Sequence, residues 1–448
     1  MADANDTPAM TQAGLERLVQ EVLAEARAQG ASQAEAGVSV ESGLNLTVRL
    51  GEVETVEHQR DRGLGLTVYF GNRKGSASTA DLSPAALRES VRAACSIATY
   101  TAEDDCAGLA DAALMAKDLP DLDLDHPWEP EPDTVIDIAT RCEEAARAFD
   151  ARIENSEGAT VTSHRGLRVY ANSHGFVGGY PSTSHSLTCS VIGKTGENMQ
   201  RDYWYSVARD VRALETPETV GRKAAERTVA RLGARRLTTR KAPVLYVPEL
   251  ARGFWGHFLG AMRGGAQYRR ASFLQDAEGT QVFPDFVQLS ERPLLKGALA
   301  SAAFDSEGVA TTDKEIVDKG IATTYLLDSY SARKLKRQTT GHAGGVRNLI
   351  VRSGELDYDA LLKKMGTGLV VTELLGQGVN GVTGDYSRGA SGFWVERGEI
   401  AYPVEEVTIA GNLKDIFKGV AAIGKDVDLR GAIRTGSVLI DEMTIAGE

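Results

Sequence analysis

The sequence predicts an α+β fold in two domains. An N-terminal mixed α/β sheet domain occupies residues 1–240, and a C-terminal β-rich domain with mainly antiparallel strands occupies 241–448. Three observations predict it. Strand-like segments of the first half neighbour one another instead of alternating strictly with helices, which argues against a doubly wound sheet. A basic, polar connector, GARRLTTRKAP at 233–243, separates two differently patterned halves. Beyond it, short apolar segments lie among dense glycine, most of all from Thr339 to Pro403. Glycine in a strand marks bulges or places where another backbone comes close.

The elements follow in order. Leu15, Leu18, Val19, Val22, Leu23 and Ala26 recur at helical spacing between Thr11 and Gln29, with Gly30 as the stop. Leu44, Leu46, Val48 and Leu50 alternate as in a half-buried strand. Separate strands are expected around Val53–Gln59 and Leu64–Phe70, with a turn at Gly71-Asn72. Ser83-Pro84 reads as a cap and first-turn proline for a helix to about Thr99. The acidic, proline-bearing stretch Lys117–Asp133 reads as a surface connection. A helix over Thr134–Phe149, a β-rich tract over Ala159–Ala208 and a helix from Thr216-Pro217 to Leu232 complete the first half.

The second half opens with a strand at Val244–Val247 and a helix from Pro248 that carries RGFWGHFLGAM. Short strands are expected through Leu299–Phe304 and Ile321–Leu327, and a short helix at Ser329–Lys336. Strands at Leu369–Leu375, Phe393–Val395, Glu405–Ile409 and Ser437–Ile440 close it, with a short helix at Ile416–Val420.

Composition excludes several classes of function. Among 448 residues, 42% hydrophobic content and 25% charged residues describe a globular chain. A net charge of −12 opposes a nucleic-acid ligand, which needs a basic face, and opposes an anionic membrane surface. No apolar run approaches the roughly 20 residues that span a bilayer. The start, MADANDTPAMTQ, has neither a basic nor an apolar leader region. The four cysteines, Cys95, Cys106, Cys142 and Cys189, have no paired short spacing and read as reduced thiols. These features together predict a cytoplasmic protein.

No dinucleotide fingerprint, Walker A sequence or nucleophile elbow occurs, and the second half has only His257 and His342 and no cysteine. The candidate site is instead a surface for an extended chain. Its residues are His257, His342, Asn348, Glu373, Gln377, Asp385, Tyr386 and Arg388. His257, near Trp255 and Phe258, fits a packed core position better than a catalytic one, whereas His342 sits between glycines where a side chain can reach an open face, and fits a turn-stabilising and a substrate-facing role alike. Asp385 to Arg388 are bracketed by Gly384 and Gly389, as a contact site would be.

TTGHAGGVRN, MGTGLVVTELLGQGVNGVTGDYSRGASGFWVE and VEEVTIAGNLKDIF closely resemble the TldE (PmbA) branch of the TldD/PmbA proteins, with FDSEGV and SYSARKLK in support. The resemblance implies a bacterial cytosolic metallopeptidase of two related subunits. The TldD-type subunit would carry zinc on a His-Glu-x-x-x-His helix and cut unfolded or leader peptides, as in peptide-antibiotic maturation and antitoxin degradation. The matching hexapeptide here runs Arg252-Gly253-Phe254-Trp255-Gly256-His257, and no cysteine follows Cys189. Two ligands and the base are therefore missing, and Arg252 would repel a cation. The resemblance thus implies no catalytic residue and no metal in this chain, with zinc in a TldD-type partner. The expected partners are that subunit and an extended peptide laid on an edge strand. A homodimer of the chain alone fits as well, since related subunits often keep a self-pairing surface. A non-hydrolytic peptide-binding scaffold and an autonomous hydrolase are the alternative readings.

Overall fold

The computed structural model describes residues 10–447, so most of the acidic start lies outside the described residues. Helix α1 (Gln12–Ala28) is capped by Thr11, whose hydroxyl accepts from the Gly14 amide at 3.2 Å, and it buries Leu15, Leu18, Val19, Val22 and Ala26. A left-handed Gly30 then turns the chain into β1 (Gln33–Arg49). The next strand, β2 (Glu52–Phe70), corrects the expectation of two segments. Gly63 and Gly65 stay extended and pair with Ser39 and Gly37 of β1, so the run never breaks. The expected turn at Gly71 leads to β3 (Arg73–Thr79). Helix α2 (Pro84–Tyr100) starts at Ser83, which accepts from the Ala86 amide. It lies so close to β3 that a side chain at Gly75 would overlap the backbone of Ala94 and Ala98.

Residues 117–133 are not a plain surface connection. Leu122 and Leu124 are buried beside Met115, Phe176 and Phe304. The Thr183 amide donates to the Leu124 carbonyl and the Gly297 amide to that of Leu122, both at 2.8 Å, so the segment straps the two halves together. Helix α3 (Pro132–Arg147), strands β4 (Ile153–Asn172), β5 (Val177–Thr195) and β6 (Asn198–Ala208), and helix α4 (Pro217–Ala230) follow. The six strands form one antiparallel sheet in the order β3-β2-β1-β4-β5-β6. Apolar residues alternating along these strands pack under α1 and α2 at one end and under α3 and α4 at the other. Across the other face runs a groove of about 650 Å³, floored by Gly37, Gly63 and Gly65 and walled by Phe304, Asp305 and Arg347 of the second half.

In the second half, β7 (Arg240–Tyr246) feeds α5 (Pro248–Met262) and the single turn α6 (Gly264–Tyr268). Strands β8 (Leu289–Glu291), β9 (Lys314–Asp318) and β10 (Ile321–Ala322), helix α7 (Ser329–Lys334), strand β11 (Leu349–Val351) and helix α8 (Tyr358–Met365) come next. Then follow β12 (Gly368–Leu375), β13 (Asp385–Glu396), β14 (Glu399–Asn412), α9 (Leu413–Lys418), β15 (Val420–Ile423), β16 (Ile433–Arg434) and β17 (Val438–Ala446). Two expected strands are corrected. Residues 299–304 form no ladder, and of 321–327 only the first two residues do; both segments are held by tertiary bonds such as Leu326 N–H to the Met262 carbonyl.

One sheet runs β10-β9-β8-β11-β16 and the other β14-β13-β12-β7-β17-β15. Among the described strands, only the pairs β7–β12 and β11–β16 are parallel. In the larger sheet β14 also pairs with β17, through Thr408–Ala446 to Ala410–Thr444, so five strands close on themselves. The core inside includes Tyr246, Trp255, Phe258, Phe283 and Phe417. The fold is therefore α+β, with a β-rich, mainly antiparallel second half.

Candidate functional site

Helix α5 begins after Val247 with Pro248 in its first turn, and most of its bulky residues are buried. Ala251, Phe254, Trp255, Phe258, Leu259 and Met262 face the core, where the Trp255 indole donates to Thr435 Oγ1 at 2.9 Å. The opposite stripe is Gly253, Gly256, His257 and Gly260, at the i, i+3, i+4, i+7 spacing of one helical face. A Cβ added at any of these three glycines would meet no atom within 4 Å. Interior helical glycine costs about 0.5–1 kcal/mol relative to alanine. Three of them on an open face leave bare backbone and a single imidazole turned outward.

The His257 ring stands edge-on to Tyr386 of β13, with centroids 5.8 Å apart. Burial, and then the nearby Arg388 guanidinium, lower the His257 pKa from its usual 6.5 and favour the neutral ring. Tyr386 meets Tyr246 hydroxyl to hydroxyl at 3.3 Å. Burial raises the Tyr386 pKa, partly offset by Tyr246 and by Arg388, and so keeps it a phenol. Tyr386 and Arg388 alternate along β13 and so share a face. The structure thus brings His257, Tyr386 and Arg388 together, with Tyr386 buried and His257 and Arg388 partly exposed beside it.

The other predicted residues are not part of it. Asp385 points the other way, accepts from Thr383 Oγ1 and Asn412 Nδ2, and is held below the usual carboxylate range by those bonds. Gln377 is exposed in the loop after β12. Glu373 pairs with Arg231 of α4 across the seam between the halves. His342 is corrected: it reaches no open face, because its ring is fully covered and held by Glu291 at 2.8 Å and Thr340 at 2.7 Å. Asn348 is also corrected, being wholly buried with its side chain donating to the Arg292 carbonyl and Ser301 Oγ and accepting from the Ala300 amide. Of the glycine-rich strands, β13 has a neighbour on both sides, and β12 has a free edge beyond Val371, where β7 ends.

At the first-ligand position Arg252 points away from His257, into the seam. It forms an ion pair with Asp428 and donates to Tyr205 Oη at 3.1 Å and to the Arg430 carbonyl at 3.0 Å. Arg430 pairs in turn with Asp428 at 2.9 Å and lies over the Trp204 ring, 3.9 Å from its centroid. These groups adjoin a cavity of about 220 Å³ lined by Tyr203, Arg231, Glu249 and Glu373 among others. Among the described residues, no group of three or more His, Cys, Asp or Glu side chains is placed to hold a metal ion. Sequence reasoning missed this seam, because Asp428 and Arg430 lie far along the chain from Tyr205 and Arg252 and carry no local signal.

No helix among the described residues is long and apolar enough to cross a membrane. Models of the PmbA/TldA metallopeptidase match the chain as domain 1 at 34–98, the central domain at 125–232 and the C-terminal domain at 239–447. The chain is 52% identical over 426 residues to metalloprotease PmbA of Escherichia coli O157:H7, covering 95% of this chain and 94% of that protein. It is 48% identical over 452 residues to the metalloprotease PmbA homolog of Haemophilus influenzae, covering all of both. A crystal structure from Bacteroides thetaiotaomicron, described as a proposed modulator of DNA gyrase, superposes with a TM-score of 0.92 at 27% identity, covering 98% of this chain and 100% of that one.

Proposed function

Since the chain belongs to the TldD/PmbA metallopeptidase family, we propose that it is the metal-free, TldE-type subunit of a heteromeric zinc peptidase of the cytoplasm. Its zinc-bearing partner cuts unfolded or leader peptides, and this chain helps to form the chamber and to hold the extended substrate. One observation carries the reading. The helix that would bear the metal has Arg252 locked to Asp428 in the seam, Gly253 without a side chain, and His257 with no second ligand beside it. Zinc held by one neutral imidazole lacks the three protein ligands of a catalytic site.

The same helix favours contact with a peptide backbone. Its bare glycine stripe lets another chain approach closely, while His257 and Arg388 offer polar groups at its edge. Contacts of this kind depend little on side-chain identity, which suits loose sequence preference. A folded protein presents no free extended segment, so loss of structure in the substrate becomes the filter.

The test is reconstitution. The chain is mixed with a TldD-type subunit, and cleavage of an unfolded peptide and zinc content are measured with each component omitted. Cleavage is expected only with both, and zinc only in the partner. Full activity without this chain, or stoichiometric zinc in this chain alone, overturns the reading.

A further inference from the structure

The groove on the helix-free face of the first sheet carries charge that its own lining leaves unanswered. Strand register lays its floor in two rows. Gly63 of β2, Ser39 of β1, Arg168 of β4 and Tyr180 of β5 form one row, and Gly65, Gly37, Tyr170 and Gly178 form the next. Phe304, Asp305, Ser306 and Arg347 of the second half make the wall. Its volume of about 650 Å³ falls within the roughly 300–1,000 Å³ of small-ligand sites.

Two guanidiniums line this groove. Arg168 is exposed and, among the described residues, has no hydrogen-bond or ion-pair partner. Arg347 is half-buried, and its guanidinium donates to carbonyls of its own loop, the shortest bond reaching Gly345 at 3.2 Å. Arg209 adds a third cation nearby, donating to the Thr183 and Leu299 carbonyls. Burial raises the Tyr180 pKa, and Arg347, Arg168 and Arg209 oppose that rise, so all three cations act on this phenol. Among the described residues the lining holds one carboxylate, Asp305, and it already accepts from the Glu307, Val309 and Ala343 amides. In a chain of net charge −12, cations gathered without acids of their own favour an anionic ligand.

The floor suits a ligand with a backbone. Gly37, Gly63 and Gly65 lie in extended strands and lack the left-handed conformation that calls for glycine. A Cβ at Gly65 would meet no atom within 4 Å, and one at Gly37 or Gly63 only a carbonyl oxygen at 3.9 Å. Packing therefore does not demand these glycines, whereas close approach of another chain does. Phosphate sites lean on backbone amides and helix N-termini. No helix lines this groove, and the Ala343, Gly345 and Arg347 amides already serve Asp305, His342 and Glu291. A guanidinium fork takes a carboxylate through two parallel hydrogen bonds, and Tyr170, Tyr180 and Phe304 offer apolar surface to the residues that carry it.

We propose that this groove binds a short extended peptide whose carboxylate is held by Arg168 and Arg347. The site goes beyond the proposed function, since no residue of α5 or β13 lines it.

Calorimetric titration of the full chain alone tests this with three probes. They are acetyl-Ala-Tyr-Ala as the free acid, the same peptide as its C-terminal amide, and acetyl-Glu-Tyr-Ala amide. At least one carboxylate peptide is expected to bind about tenfold or more tightly than the neutral amide, the worth of one charge-assisted hydrogen bond. Which of the two does so tells a chain end from an acidic side chain. Arg168→Gln and Arg347→Gln, each confirmed folded by circular dichroism, are expected to remove the difference. Gly65→Val, which fills the floor at a position where a strand accepts valine, is expected to weaken the peptide acid as well. Absence of binding, equal binding of all three peptides, or arginine variants that bind like the wild type overturn the proposal. Inorganic phosphate that competes as strongly as the peptide acid overturns it too. No partner subunit enters the titration and no α5 residue is changed, so failure here leaves the proposed function standing.

Discussion

His342 and Glu291 close on each other inside the second half, 0% and 2% exposed, and Glu291 also accepts from the Arg347 amide at 2.6 Å. His342→Ala would leave a buried carboxyl short of a partner, and urea unfolding is expected to show a loss of about 3 kcal/mol. A second buried acid sets a pH dependence. Burial pushes Glu307 from 4.5 up to about 7, only partly opposed by the Ser329 amide and hydroxyl that donate to it. The folded state therefore keeps this proton longer than the unfolded chain does. Its stabilising contribution is complete below about pH 4.5 and is lost as the pH rises through about 7. Glu307→Gln removes that titration, so wild-type stability is expected to fall relative to the variant between pH 4.5 and 7.5 in parallel unfolding curves. At this scale the sequence spoke clearly only of neighbours. Ser83, Thr11 and Thr216 announce the caps they form, because a cap is satisfied within three residues. His342 looked open because its partner Glu291 is 51 residues away.

In the proposed role, helix α5 meets the substrate on the side with the least chemistry. Gly253→Ala and Gly260→Ala place methyl groups in open space and remove the conformational penalty of glycine, so each is expected to stabilise the isolated chain by about 0.5–1 kcal/mol. If a peptide backbone lies on this stripe, the same substitutions reduce unfolded-peptide cleavage by the reconstituted assembly. Thermal unfolding and the cleavage assay together check both effects. Strand β13 makes the opposite case. A side chain at Gly392 would overlap the Val370 carbonyl of β12, next to a register shift, so Gly392→Ala is expected to destabilise the sheet by more than about 1 kcal/mol in chemical unfolding. Periodicity located α1 and α2 to within a residue or two, and it marked the β-rich tract under α3 and α4 without dividing it into β4, β5 and β6. It divided β2 wrongly at residues 60–63, where charged residues and Gly63 interrupt the apolar pattern although the pairing with β1 runs on. The segments at 299–304 and 321–327 read as strands because they are apolar, yet burial in irregular structure satisfies apolar side chains equally well.

At the scale of the whole molecule, the α+β class and the change of character between the halves were visible in composition and pattern. What was not visible is what joins distant stretches of chain: the strap at Leu122 and Leu124 and the Arg252–Asp428–Arg430 seam between the halves, and the contact of β14 with β17 within the second. Each depends on partners dozens of residues apart, beyond the reach of any local pattern. The closure of β14 on β17 has a consequence for how the protein comes into being. Arg240 at the start of β7 waits for Ile445, and Ile409 waits for the same residue. Until that final strand has emerged, the second half exposes two raw borders at once, and joining them means ordering nearly the whole intervening chain. Maturation of this half is expected to be slow and all-or-none, with the nascent polypeptide at its stickiest just before the ring shuts.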